Sequence, residues 1–210
     1  MVKHKIMFPC EDLSLEGVLW LPEGEGPFPA VAVCHPHPLY GGSMNVDMVH
    51  QVCVALGEHS IASLRFNFRG VGKSEGRYEN GVGEQKDVKA ALSLLENRAE
   101  VDSSRLGLCG YSFGTMVSIP VADEDDRVQA YAGISAFFIA PNLLHQFFRP
   151  KFFIHGNRDE FIPYREAQKT VEGLPQPTEF VLIEGADHFW GNHTGEVTAK
   201  VGRFFAGGLI

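Results

Sequence analysis

Apolar residues along this chain fall into two rhythms. Ala30 to Cys34, Leu106 to Tyr111, Val128 to Ile134 and Lys151 to His155 are short, nearly continuous apolar runs. Such runs suit strands buried on both faces of a sheet. Between them the apolar positions switch to helical spacing. Met48, Val49, Val52, Cys53 and Leu56 lie on one helical face, and Gly57 follows as a stop. Val88, Ala91, Leu92 and Leu95 mark a second amphipathic helix, and residues 197–205 a closing one. Phe113 onward reads as another helix, expected to end or kink near Pro120. The two opening runs, 3–8 and 13–20, are too close for a helical crossover and so predict an antiparallel pair. Eight strands follow, over 3–8, 13–20, 30–35, 61–67, 106–111, 128–134, 151–155 and 178–184. Strands alternating with helices predict an α/β domain, a mostly parallel sheet with helices on both faces.

Length and composition narrow the class. A chain of 210 residues with 44% hydrophobic content predicts one domain, 1–210, with a substantial core. A formal charge of −8 counts against nucleic acid or an anionic membrane as partner. Cys10, Cys34, Cys53 and Cys109 show no paired spacing and read as reduced core residues of a cytoplasmic protein. The N-terminus lacks an apolar signal core, and no stretch approaches the length of a membrane span.

The chemistry centres on Gly110-Tyr111-Ser112-Phe113-Gly114, between the fifth strand and the helix after it. A serine on a tight strand-to-helix turn has its hydroxyl pushed clear of the sheet, and flanking glycines leave room where a Cβ would collide. By itself the pentapeptide also fits a plain turn with Ser112 as a helix cap. The motif resembles the nucleophile elbow of the α/β-hydrolase superfamily, whose elbow also follows strand five. That resemblance implies the α/β-hydrolase fold over nearly the whole chain and the order serine, acid, histidine. His155-Gly156-Asn157-Arg158-Asp159-Glu160-Phe161-Ile162-Pro163 resembles the superfamily's H-G-x-x-D-x-x-V-P segment and puts Asp159 in the acid role. Gly185-Ala186-Asp187-His188 matches its G-x-x-H and makes His188 the base. Glu160 and Asp187 are rival acids, and His193 is a rival base.

An oxyanion hole needs two backbone donors. The resemblance places one at the Phe113 N–H and the other in the loop 35–42 after strand three. Pro36 and Pro38 have no N–H and cannot serve. Aligning His35-Pro36 with the superfamily's His-Gly at this strand end puts the second donor at His37, with Leu39 or Tyr40 serving if the loop folds differently. The run His35-Pro36-His37-Pro38-Leu39-Tyr40-Gly41-Gly42, with Arg65 to Ser74, looks like small bacterial hydrolases related to dienelactone hydrolases. Those relatives often carry a cysteine nucleophile. Serine here favours ordinary esters or thioesters.

Only residues 135–150 separate the sixth and seventh strands, too few for a lid domain. Pro141 and the spacing of Leu143, Leu144, Phe147 and Phe148 predict a short amphipathic helix there. It is open to three uses: covering its own core, walling an acyl pocket, or forming a homodimer patch. Tyr40, Tyr111, Leu144 and Phe148 are the candidate substrate contacts. Gly70-Val71-Gly72-Lys73-Ser74 imitates a phosphate loop, but Asn67 stands where that pattern needs its first glycine. His35 and His37 lack further ligands at metal-binding spacing. The expectation is a lidless serine hydrolase acting on a small-molecule ester or thioester of small or medium acyl groups, without cofactor or metal. Peptidase-like or dienelactone-type chemistry on the same core, or a binding module retaining the fold, are the rival readings.

Overall fold

The continuous apolar runs become the interior of one eight-stranded sheet. The computed structural model describes residues 1–140 and 142–210. Its strands are β1 (Val2–Cys10), β2 (Leu13–Leu21), β3 (Phe28–Cys34), β4 (Ala62–Phe66), β5 (Val101–Tyr111), β6 (Val128–Ile134), β7 (Lys151–Gly156) and β8 (Thr178–Ile183). Its helices are α1 (Asp47–Glu58), α2 (Val82–Glu96), α3 (Phe113–Glu124), α4 (Tyr164–Glu172) and α5 (Thr194–Leu209). The strand order is β1-β2-β4-β3-β5-β6-β7-β8. β2 runs antiparallel to both β1 and β4, and every later pairing is parallel. The antiparallel opening pair follows from its two-residue connection, which cannot hold a crossover.

Burial explains the pattern. Ala30 to Cys34 and all of β7 are buried, as strands covered on both faces must be. β1 lies at the edge, where Lys3, His4 and Lys5 stay exposed and discourage pairing with another chain. α1 packs against α5 over one face of the sheet, with Val31, Val33, Val52, Leu56, Trp190 and Phe205 in that core. α2 and α3 cover the other face, around Leu64, Phe66, Leu92, Leu108 and Val117.

Several boundaries differ from the sequence expectation. β5 begins at Val101, five residues early, because its first half pairs only at Phe28 before the register shifts. α2 starts at Val82, before the apolar positions from Val88 onward that mark it in the sequence. Its first turn lacks the apolar helical face, since Val82 is exposed, and the buried Glu84 carboxylate accepts the Gly81 and Glu79 N–H groups at 2.7 and 2.9 Å. α3 continues past Pro120 to Glu124. A mid-helix proline costs ~3 kcal/mol, and nine buried residues on α3 offset it.

The segment before β7 departs most. Residues 142–146 form turns rather than the expected amphipathic helix. Leu144 sits at φ 65°, its N–H donating to Asp123 Oδ1 at 2.8 Å and its side chain fully buried. A left-handed residue there is incompatible with a continuous helix. The expectation that Pro141 opens that helix lies outside the described residues.

Candidate active site

A serine hydroxyl becomes a useful nucleophile only beside a base that a third group orients. The serine's position is set by local backbone geometry. Ser112 has φ 55° and ψ −119°, a strained conformation for a residue with a Cβ. Its N–H donates to the Ile134 carbonyl at 2.9 Å, and its carbonyl accepts the Thr115 N–H at 2.7 Å and the Thr115 hydroxyl at 2.6 Å. A Cβ at Gly110 would stand 2.7 Å from the Gly114 carbonyl, and one at Gly114 would meet the carbonyls of Cys34 and His35. Both glycines are therefore required for the close approach of β3, β5 and α3.

Ser112 lies at the end of β5, Asp159 follows β7 and His188 follows β8. The fold brings all three together. Asp159 Oδ2 accepts a hydrogen bond from His188 Nδ1 at 2.7 Å. With that proton on Nδ1, Nε2 is the acceptor that faces Ser112 Oγ at 2.9 Å. Asp159 is gripped on both oxygens. Oδ1 accepts the Phe161 and Ile162 N–H groups at 3.0 and 2.8 Å, while His155 Nε2 stands 3.3 Å from Oδ2. Burial alone would raise its pKa. The donors His155, His188 and Ile162 outweigh burial and hold the carboxyl well below the usual range. The Tyr111 hydroxyl donates to the His188 carbonyl at 2.8 Å and fixes the loop that carries the imidazole.

None of the rivals takes part in the hydrogen bonds that join Ser112, His188 and Asp159. Asp187 Oδ1 caps its own turn, accepting the Phe189 and Trp190 N–H groups at 3.0 and 2.9 Å. Glu160 is exposed, and His193 stands at the N-terminal boundary of α5, where its side chain makes no capping hydrogen bond.

The loop after β3 is built on two histidines. His35 is fully buried, its Nδ1–H donating to the Pro36 carbonyl at 2.6 Å and its Nε2 accepting the Phe68 N–H at 3.1 Å. Burial pushes its pKa down to about 4, so the ring stays neutral. His37 Nδ1 accepts the Leu39 N–H at 3.2 Å, and its Nε2 pairs with the Tyr78 hydroxyl at 3.2 Å. Both histidines thus have both ring nitrogens occupied. The Tyr40 N–H donates to the His37 carbonyl at 3.1 Å. Of the candidate donors, Leu39 and Tyr40 are therefore consumed. Among the described residues, the His37 and Phe113 N–H groups have no acceptor within the chain. Their rings pack 4.8 Å apart.

Residues 75–201 match the dienelactone hydrolase family. This chain belongs to that family. An uncharacterised protein of Rickettsia prowazekii is 31% identical over 191 residues, which cover 84% of this chain and 78% of that one. A solved α/β serine hydrolase homologue from Coxiella burnetii superposes with a TM-score of 0.87 at 35% identity, over 97% of each chain. A lidless α/β serine hydrolase from Xanthomonas campestris gives a TM-score of 0.85 at 26% identity, over 96% of this chain and 93% of that one. Fold and family alike are those of a hydrolase. In this member of the dienelactone hydrolase family the connection from β6 to β7 is short, and the molecule is lidless.

The family member's site opens into a cavity of about 630 Å³ around Ser112 and His188. Tyr40 and Tyr111 line it; Leu144 and Phe148 do not. Leu144 packs into the core beneath α3, and Phe148 is 64% exposed on the surface. The aromatic lining comes instead from Phe113, Phe137, Phe161 and Phe189. Sequence reasoning missed Phe161 and Phe189 although each lies within two residues of a triad candidate. It also passed over His155, which stands in the quoted H-G-x-x-D motif, and Tyr78, for which no sequence signal existed. The Gly70 to Ser74 turn holds no anion cradle. The Glu16 carboxylate accepts the Lys73 N–H at 2.9 Å, and Gly70 N–H goes to the Glu75 carbonyl at 3.0 Å.

Proposed function

We propose that this chain is a serine hydrolase that cleaves carboxylic esters or thioesters of small or medium acyl groups through an acyl-serine intermediate, without a cofactor. The observation that carries this reading is the continuous chain of hydrogen bonds from Ser112 Oγ through His188 to Asp159, at 2.9 and 2.7 Å. Ser112 Oγ attacks the acyl carbon as its proton passes to His188 Nε2. The carbonyl oxygen becomes an oxyanion facing the Phe113 and His37 N–H groups. Collapse of the tetrahedral intermediate breaks the bond to the alcohol or thiol, which leaves with the proton from His188. Water then repeats the sequence, releasing the acid and restoring Ser112. Asp159 holds the Nδ1–H tautomer and stabilises the imidazolium. Each oxyanion donor contributes roughly 3 kcal/mol to the transition state.

Four free, buried cysteines support a reducing, cytoplasmic setting. No helix among the described residues is long and apolar enough to cross a membrane. Dienelactone-type chemistry has the family's name in its favour. A serine at the elbow and a cavity lined without arginine or lysine favour uncharged esters instead.

The test is labelling with a fluorophosphonate beside Ser112→Ala, followed by p-nitrophenyl esters of graded chain length. The expected result is labelling of wild type only and turnover of short or medium esters. A folded wild type that neither labels nor turns over any ester would favour the binding-module reading.

A further inference from the structure

Phe161 and Phe189 are each 68% exposed, a costly placement for two phenyl rings unless something covers them. They meet edge to face with centroids 5.5 Å apart, and both pack on the His188 imidazole, at 5.2 and 5.6 Å. Their backbones are tied to the turns that hold the triad. The Phe161 N–H donates to Asp159 Oδ1 and the Phe189 N–H to Asp187 Oδ1, each at 3.0 Å. The backbone positions from which the two rings project are thereby tied to the turns that carry Asp159 and His188.

Chemistry then divides the cavity. On the triad reading, on which this inference rests, His188 Nε2 must hand its proton to the oxygen or sulfur of the departing group. That group lies against the imidazole, and the acyl chain lies on the other side of the carbonyl carbon. Tyr40, Met116 and Phe137 come from the loop after β3, from α3 and from the loop after β6; the rings that pack on His188 are Phe161, Phe189 and, from β5, Tyr111, whereas Tyr40 packs on His37. No lysine, arginine, aspartate or glutamate lines either side.

We infer that Phe161 and Phe189 form a leaving-group subsite that selects esters of uncharged aromatic or bulky apolar alcohols, separate from an acyl subsite walled by Met116 and Phe137. An aromatic alcohol covers the two rings during acylation and uncovers them when it leaves. Selectivity at this subsite therefore enters kcat/KM, which includes acylation, and is absent from deacylation, in which no alcohol remains.

Benzyl acetate and methyl acetate share an acyl group and have leaving groups of similar basicity, so their kcat/KM ratio reads the leaving-group subsite. Methyl phenylacetate against methyl acetate reads the acyl side in the same way. Wild type is expected to favour benzyl over methyl acetate. Phe161→Ala and Phe189→Ala each lower that ratio by roughly tenfold, the scale of one lost apolar contact surface, and leave the acyl ratio in place. Phe137→Ala does the reverse. Phe189→Leu, which keeps an apolar side chain, retains most of the preference if Ala disturbs the loop. An unchanged benzyl-to-methyl ratio in both alanine variants, or a change in the acyl ratio instead, overturns the inference. Fluorophosphonate labelling of the same samples separates the two failures. Labelled enzyme without leaving-group selectivity sinks this inference alone, and unlabelled wild type sinks the triad reading beneath it.

Discussion

Two glycine-rich turns follow neighbouring regions of the sheet, and both carry residues that a motif search would mark. After β5, Gly110 to Gly114 leaves the Phe113 N–H without an internal acceptor and aims the Ser112 hydroxyl at His188. After β4, Gly70 to Ser74 spends its polar groups internally: Val71 N–H on the Phe68 carbonyl, Lys73 N–H on Glu16, and the Ser74 hydroxyl on the Asn67 carbonyl. A Cβ at Gly72 would run into the side chains of Asn67 and Glu16, and one at Gly114 into the backbone carbonyls of Cys34 and His35. Tight packing is therefore common to both turns and does not separate them. What separates them is which hydrogen-bonding groups remain free once the chain has folded. Unspent donors beside a cavity can stabilise developing charge. Donors already satisfied by a carboxylate only hold a loop in place.

This contrast can be broken most forcefully at Ser112. Ser112→Ala is expected to lower ester kcat by about 10⁴- to 10⁶-fold, with the folded state retained, in steady-state assays beside circular dichroism. Gly114→Ala forces a Cβ against backbone that cannot step aside. It should cost about 3 kcal/mol, the upper part of the overpacking range, seen as a lower denaturation midpoint. His35 supplies a pH test on the loop that carries His37. Its folded pKa of about 4 lies below the unfolded value near 6.5, so the unfolded state binds more protons between them. Its contribution to stability is complete above pH 6.5 and declines as pH falls, by about 2 kcal/mol at pH 5. Urea midpoints of wild type should fall over that window, and His35→Gln should flatten the slope. The mildest effect belongs to the satisfied turn. Glu16→Ala should lower stability by about 1–2 kcal/mol, chiefly through the buried Asn67 amide left without its acceptor, with kcat/KM within about twofold. A loss of activity there as deep as at Ser112 would erase the distinction between the turns.

Much of the molecule could be read from the residues alone. Strand positions were legible because parallel strands buried on both faces require unbroken apolar runs, which helices interrupt at their own period. The juxtaposition of Ser112, Asp159 and His188 was legible because each sits just beyond a strand end within a recognisable motif. The second oxyanion donor was expected at His37, with Leu39 and Tyr40 as fallbacks that the folded loop sets aside. Leu39 and Tyr40 lose their N–H groups to His37 through a turn whose form depends on Tyr78 and on the burial of His35. Residues 143–148 misled for a related reason. Their spacing is helical, but the Leu144 N–H finds Asp123 on α3, and a residue at φ 65° ends any helix. Tertiary partners far along the chain decided both cases, and neighbouring residues carry no trace of them.

On the proposed mechanism the acyl group passes through Ser112. Mixing the protein with p-nitrophenyl acetate, quenching in acid during the burst and mapping the adduct by peptide mass spectrometry tests it directly. The expected result is one acetyl group on the peptide holding Ser112, absent from Ser112→Ala and persisting longer where deacylation is slowed in Asp159→Asn. Acetylation at another side chain, or undiminished turnover by Ser112→Ala, would contradict it.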